Sequence, residues 1–122
     1  MKALRILGLA LLLASGVASG HGNTKPLHGG VVQMVGEKSF ELVAKPEGAE
    51  LYVVDDGEDI DSSLISAMLI IDAGGIKSEV PMLAAGGNKF VAKGAKIPSG
   101  AKVVAMLVAG DQSKTTARFT IK

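Results

Sequence analysis

Apolar and polar residues alternate along most of this chain in short runs, and turn residues separate the runs. Val31–Val35 is the first run. Phe40–Ala44 is the second, with Phe40 and Leu42 on one face and Ser39 and Glu41 on the other. Glu50–Val54 follows, then Met68–Asp72, then Ile76–Val80, where Ile76, Ser78 and Val80 alternate with Lys77 and Glu79. A short run surrounds Phe90 at Asn88–Ala92. Lys102–Ala109 is longer and almost wholly apolar. Thr116–Lys122 closes the chain, with Ala117, Phe119 and Ile121 on one side. A period of two places these residues on strands. Pro46 and Gly48 fit the second and fourth positions of a type I turn at Lys45-Pro46-Glu47-Gly48. Gly74-Gly75 and Gly86-Gly87 read as hairpin turns. Only Ser62–Ala67 has a helical look: one turn capped by Asp61 or Ser62, or an irregular link into the next strand.

Seven or eight strands at this spacing, without helices, predict an all-β fold of two packed antiparallel sheets over residues 31–122. A small immunoglobulin-like sandwich is the first expectation, and a small closed barrel the second. The Cys…Trp…Cys hallmark of antibody domains is missing, since the chain has no Cys and no Trp. The core should therefore consist of aliphatic residues with Phe40, Tyr52, Phe90 and Phe119 as its large pieces.

Residues 1–20 break the pattern. Lys2 and Arg5 precede an unbroken apolar stretch from Ile6 to Ala14, and small residues from Ser15 to Gly20 follow. Basic, then apolar, then small is the order of a secretory signal peptide. The apolar stretch is shorter than the ~20 residues a membrane-spanning helix needs. Cleavage after Gly20 would make His21 the first residue; cleavage after Ala18 or Ser19 also satisfies the small-residue requirement. Residues 21–30 (HGNTKPLHGG) read as a flexible His/Gly leader. The expected product is periplasmic or secreted, with no stable membrane insertion after processing.

Processing leaves eleven basic side chains against twelve acidic ones, a formal charge of −1. That balance gives no reason to expect nucleic acid as a partner. Serines stand in no nucleophile motif, and the only imidazoles are His21 and His28, so no enzyme activity is expected.

Those two histidines are the main candidates for chemistry. Imidazole suits copper and zinc. An N-terminal His21 would offer its α-amine and Nδ1 as a chelate, and His28 could add a third nitrogen. Thioethers favour Cu(I), and Met34 lies on the strand nearest His28, although the positions of Met34, Met68, Met82 and Met106 in apolar runs suit core packing better. The acidic stretch Asp55-Asp56-Gly57-Glu58-Asp59-Ile60-Asp61 lacks the ligand order of an EF-hand. It reads as a solvated turn that could lend Asp55 or Asp56 to a histidine site. The metal-ligand candidates are thus His28, His21, Asp55, Asp56 and Met34, with copper as the favoured ion and zinc the alternative.

Three segments carry a resemblance. His21-Gly22…Lys25-Pro26-Leu27-His28-Gly29-Gly30-Val31-Val32, then Phe40-Glu41-Leu42-Val43, then Leu51-Tyr52-Val53-Val54-Asp55 resemble, in that order, a group of small exported bacterial proteins associated with resistance to copper and other heavy metals. A similar order appears in periplasmic adaptor subunits of heavy-metal efflux pumps of the resistance-nodulation-division class. The resemblance spans roughly residues 21–60. It implies a periplasmic β domain that handles metal through His28 and His21, with an efflux component as partner. In that pattern a histidine often follows the aspartate after the tyrosine-containing strand; here Asp56 holds the place. The competing expectation is a metal-free β-sandwich of the cell envelope that binds a protein through an exposed strand edge.

Overall fold

The computed structural model describes residues 25–122, so the signal-peptide reading and His21 lie outside the described residues. The strands are β1 (Val31–Val35), β2 (Lys38–Lys45), β3 (Gly48–Asp55), the two-residue β4 (Glu58–Asp59), β5 (Ser66–Ala73), β6 (Ile76–Ala84), β7 (Lys89–Lys93), β8 (Lys102–Val108) and β9 (Lys114–Thr120). A single 3-10 turn, Ser62–Leu64, precedes β5. The fold is all-β, as the alternation predicts. No helix among the described residues is long and apolar enough to cross a membrane.

All pairings are antiparallel, in the order β1-β2-β3-β7-β6-β5-β8-β9, with β4 beside β3. The first three long strands form a meander. Strands β5, β6 and β7 follow one another by hairpins, and β8 returns to lie beside β5, which is a Greek key. Strand β6 joins the two halves: Met82 pairs with Ala67 of β5, and Leu83 pairs with Val91 of β7. At the other side β1 and β9 approach to within 8 Å between Cα atoms, which leaves the sheet nearly closed. Sandwich and barrel thus meet in one architecture, two facing sheets joined through β6 and almost joined through β1 and β9.

The turns follow local chemistry. Lys45 pairs with Gly48 across Pro46-Glu47, and neither loop residue has positive φ, in keeping with a type I turn. Asp56-Gly57 joins β3 to β4 with φ of 53° and 82°, the left-handed pair that a type I′ hairpin needs. The Asp61 carboxylate accepts from the Ser63 amide at 3.0 Å and caps the 3-10 turn.

The core lies between the two sheets. Phe40, Leu42, Leu51, Val53, Leu69, Ile71, Phe90, Val103, Ala105 and Phe119 are its inward residues. Tyr52 is not among them. Leu51 and Val53 point inward, so the pleat turns Tyr52 outward. The methionines also depart from expectation: Met82 is buried, but Met34, Met68 and Met106 are only half-buried and alternate with the inward residues.

Among the described residues the Ser62 hydroxyl is a buried polar atom that lacks a partner. Phe40→Ala should cost ~3–5 kcal/mol, because the ring is fully buried and its loss leaves a cavity in the core. Ser62→Ala should be neutral or stabilising by up to ~1 kcal/mol, since it removes a desolvated hydroxyl that gains nothing. Urea unfolding of the two variants beside the wild type measures both, and a loss of more than ~1 kcal/mol for Ser62→Ala would contradict the second.

Candidate functional site: a histidine clasp on the outer sheet face

Strands β1, β2 and β3 turn the row Val32, Glu41, Tyr52 outward by register, and Lys89 of β7 continues it. A charged residue on such a face would ordinarily be solvated. Glu41 is instead only 5% exposed, because residues 25–30 fold back across it. Ser39 and Val43, its neighbours on that face, are buried as well.

Glu41 holds this segment through four hydrogen bonds. Its Oε1 accepts from the Leu27 amide at 3.1 Å and from His28 Nδ1 at 2.9 Å. Its Oε2 accepts from the His28 amide at 2.8 Å and the Gly30 amide at 2.9 Å. Burial alone would raise the carboxyl's pKa. The His28 ring and the amides of Gly30, His28 and Leu27 outweigh it and hold the group below its ordinary value of 4.5.

Both glycines of His28-Gly29-Gly30 have a geometric reason. Gly29 sits at φ 78°, where a side chain is strained. Gly30 lies against β2: a Cβ there would overlap the Leu42 carbonyl and come within 2.8 Å of Val43 Cγ2. The pair thus lets the backbone turn and then seat its amide on Glu41.

The His28 ring lies flat on Tyr52, with centroids 3.5 Å apart and planes 2° from parallel. The Tyr52 hydroxyl donates to Glu50 Oε1 at 3.0 Å. Glu50 also pairs with Lys45 and Lys89, each at 3.2 Å, and the Lys89 ammonium stands 5.9 Å from the Tyr52 ring centroid. Burial followed by the bond to Glu50 raises the Tyr52 pKa and keeps the hydroxyl protonated. Two carboxylates therefore fix the stack, Glu41 through the imidazole and Glu50 through the phenol.

A carboxylate can only accept, so the His28 Nδ1 carries the proton in this contact. In the neutral ring, Nε2 keeps its lone pair. Next to the clasp is a cavity of about 260 Å³ whose wall includes Lys25, His28, Ser39, Tyr52, Asp59 and Asn88.

The other candidates lie elsewhere. Asp55 falls on the opposite side of the pleat from Tyr52 and pairs with Lys38 at 3.5 Å. Asp56 occupies the left-handed turn position and donates its amide to the Glu37 carbonyl. Met34 shares the outer face, opposite Ser39, one row along from Glu41. Among the described residues no three His, Cys, Asp or Glu side chains gather into a metal-binding group. Glu41 and Tyr52 escaped the reading of the sequence as site residues. The signal for Glu41 was a carboxylate in the middle of a strand otherwise flanked by apolar residues.

Glu41→Gln should release the leader, because an amide NH₂ would face backbone donors. The expected loss is about 2–3 kcal/mol. Gly30→Ala should loosen the same segment by steric overlap. In metal-free buffer the clasp should also open in acid. A carboxylate whose pKa is depressed by folding stabilises fully above its unfolded value near 4.5, and that contribution disappears as pH falls through the lower folded value. Amide exchange at Leu27, His28 and Gly30 measures each effect, and Tyr52, the one tyrosine of the chain, gives a fluorescence signal for loss of the stack. Unchanged protection in Glu41→Gln would refute the clasp.

Comparison of the chain with protein-family models, with curated proteins and with solved structures found no match.

Proposed function

We propose that this is an exported, periplasmic metal-binding accessory protein that takes a copper ion through Nε2 of His28, with zinc as the alternative ion. The observation that carries this reading is the 2.9 Å contact between His28 Nδ1 and Glu41. Metal-ligating histidines characteristically donate the other ring N–H to a carboxylate, which sets the tautomer, orients the ring and raises its basicity. Tyr52 adds a rigid wall, so the imidazole is preorganised instead of being ordered at the moment of binding.

Further ligands have to come from beside this one. His21, freed by cleavage after Gly20, would offer an α-amine and an imidazole, and the seven residues to His28 reach at most ~25 Å. Met34 is the thioether on the same face, and its softness suits Cu(I). Asp55 and Asp56 are weaker choices, for the pleat and the turn direct them away. The resemblance to heavy-metal-resistance proteins gains support from one coincidence. Its three segments supply His28, Glu41 and Tyr52, which meet in the clasp. On this reading the protein stores or buffers the ion, or hands it to an efflux component.

Partner docking at a strand edge has less support. Adding a strand between β1 and β9 needs about twice the ~4.8 Å inter-strand spacing, and those strands already approach within 8 Å.

Copper titration of the processed protein, followed by native mass spectrometry, should give one ion per chain. His28→Ala should abolish the binding, and Glu41→Gln should weaken it by about 10- to 100-fold. Affinity should fall with pH as the α-amine, of ordinary pKa about 8, takes up its proton. Stoichiometric binding that survives His28→Ala would end the proposal.

A further inference from the structure

The two sheets treat their outer faces differently. The β1-β2-β3 face is covered by the chain's own residues 25–30. The β5-β8 face has no cover among the described residues, yet it is apolar at its centre. Met68 and Ile70 of β5 and Val104, Met106 and Val108 of β8 alternate with buried core residues and are half-buried. An antiparallel sheet with one solvated face ordinarily carries polar residues there, and a strand apolar on both faces is normally covered on both.

The charges around this stripe are arranged by strand. Register places Glu79, Ile70, Val104 and Arg118 in one row from β6 to β9. The neighbouring row holds Pro81, Met68, Met106 and Thr116, and the next holds Lys77, Asp72, Lys102 and Thr120. Glu79 and Arg118 are both exposed, and neither takes part in the described ion pairs.

We infer that this face is a self-complementary surface for a second copy of the chain. A two-fold axis along the strands, between β5 and β8, lays β5 of one copy over β8 of its partner. The row then matches itself in reverse, so Glu79 meets the other copy's Arg118 and Asp72 meets its Lys102, each contact formed twice. The same axis stacks Ile70 on Val104 and Met68 on Met106. Methionine suits such a junction, since its thioether adapts to an imperfect surface. A leader beginning at His21 adds four residues before Lys25, at most ~14 Å of chain, and starts on the opposite sheet, so it is too short to cover this face.

Four strands spaced ~4.8 Å apart over three or four rows give about 400–500 Å² of footprint per copy. The total buried surface is on the order of 1,000 Å², the lower limit for a specific interface, so the dimer should be weak and dependent on concentration.

Sedimentation equilibrium of the full exported protein tests this. The wild type should pass from one to two copies with rising concentration, less readily in high salt. E79R and R118E should each weaken the dimer about tenfold or more, because each places like charges together twice. The double variant E79R/R118E should restore it. A wild type that remains monomeric throughout would overturn the proposal and leave the face to some other partner. A dimer indifferent to the single swaps, or not restored by the double swap, would overturn it equally.

Discussion

A buried carboxylate organises one side of this molecule. Removing a charged group from water costs several kcal/mol unless its acceptor sites are filled. Glu41 sits in the middle of β2, on a face that the chain itself covers, and its two oxygens accept four hydrogen bonds. Three come from backbone amides that would otherwise be loop donors. The carboxylate therefore does more than pair with one residue: it fixes the path of the segment before β1. Charge and cover depend on each other, for without residues 27–30 Glu41 would hydrate, and without Glu41 those amides would have no common acceptor.

The same constraint separates the two sheets. On the β1-β2-β3 side the returning segment buries Ser39, Glu41 and Val43, so β2 is enclosed on both faces although only one of them is core. On the β5-β8 side the central strands carry apolar residues on both faces, and the described chain encloses only one. One outer face is thus completed within the chain, whereas the other has the composition of a completed face without the cover.

Alternation made the strands legible. Val31–Val35 is read directly from the sequence; β2, β3, β5 and β6 run beyond the expected runs, β6 as far as Ala84, whereas β7 and β9 are shifted by one or two residues and β8 stops one residue short. Punctuation was equally local: Pro46 suits the second position of its type I turn, and Gly57 and Gly75 take the positive φ of theirs. The site was harder to read because it depends on register. That Glu41 stands opposite Tyr52 follows only once β2 and β3 are paired, and that His28 reaches both follows only once the segment folds back. Tyr52 looked like a core residue because large aromatic side chains usually are. A shift of one position along the strand reverses the face, and Leu51 and Val53 already held the inward places. The three outward methionines belong with Tyr52: an apolar run shows that a strand exists but not which residues face inward.

The clasp also bears on how one residue can serve both fold and chemistry. An imidazole has two nitrogens, and in the neutral ring one donates while the other accepts. Here the structural bond uses Nδ1 alone, and stacking on Tyr52 restrains rotation without occupying a nitrogen. Holding the ring by one edge and one face leaves the opposite edge free to accept. The stronger the grip of Glu41 on Nδ1–H, the more electron density resides on Nε2, so the bond that fastens the leader also makes the remaining nitrogen a better donor to a cation. If His28 binds a cation as proposed, fold stability and ligand strength depend on the same carboxylate.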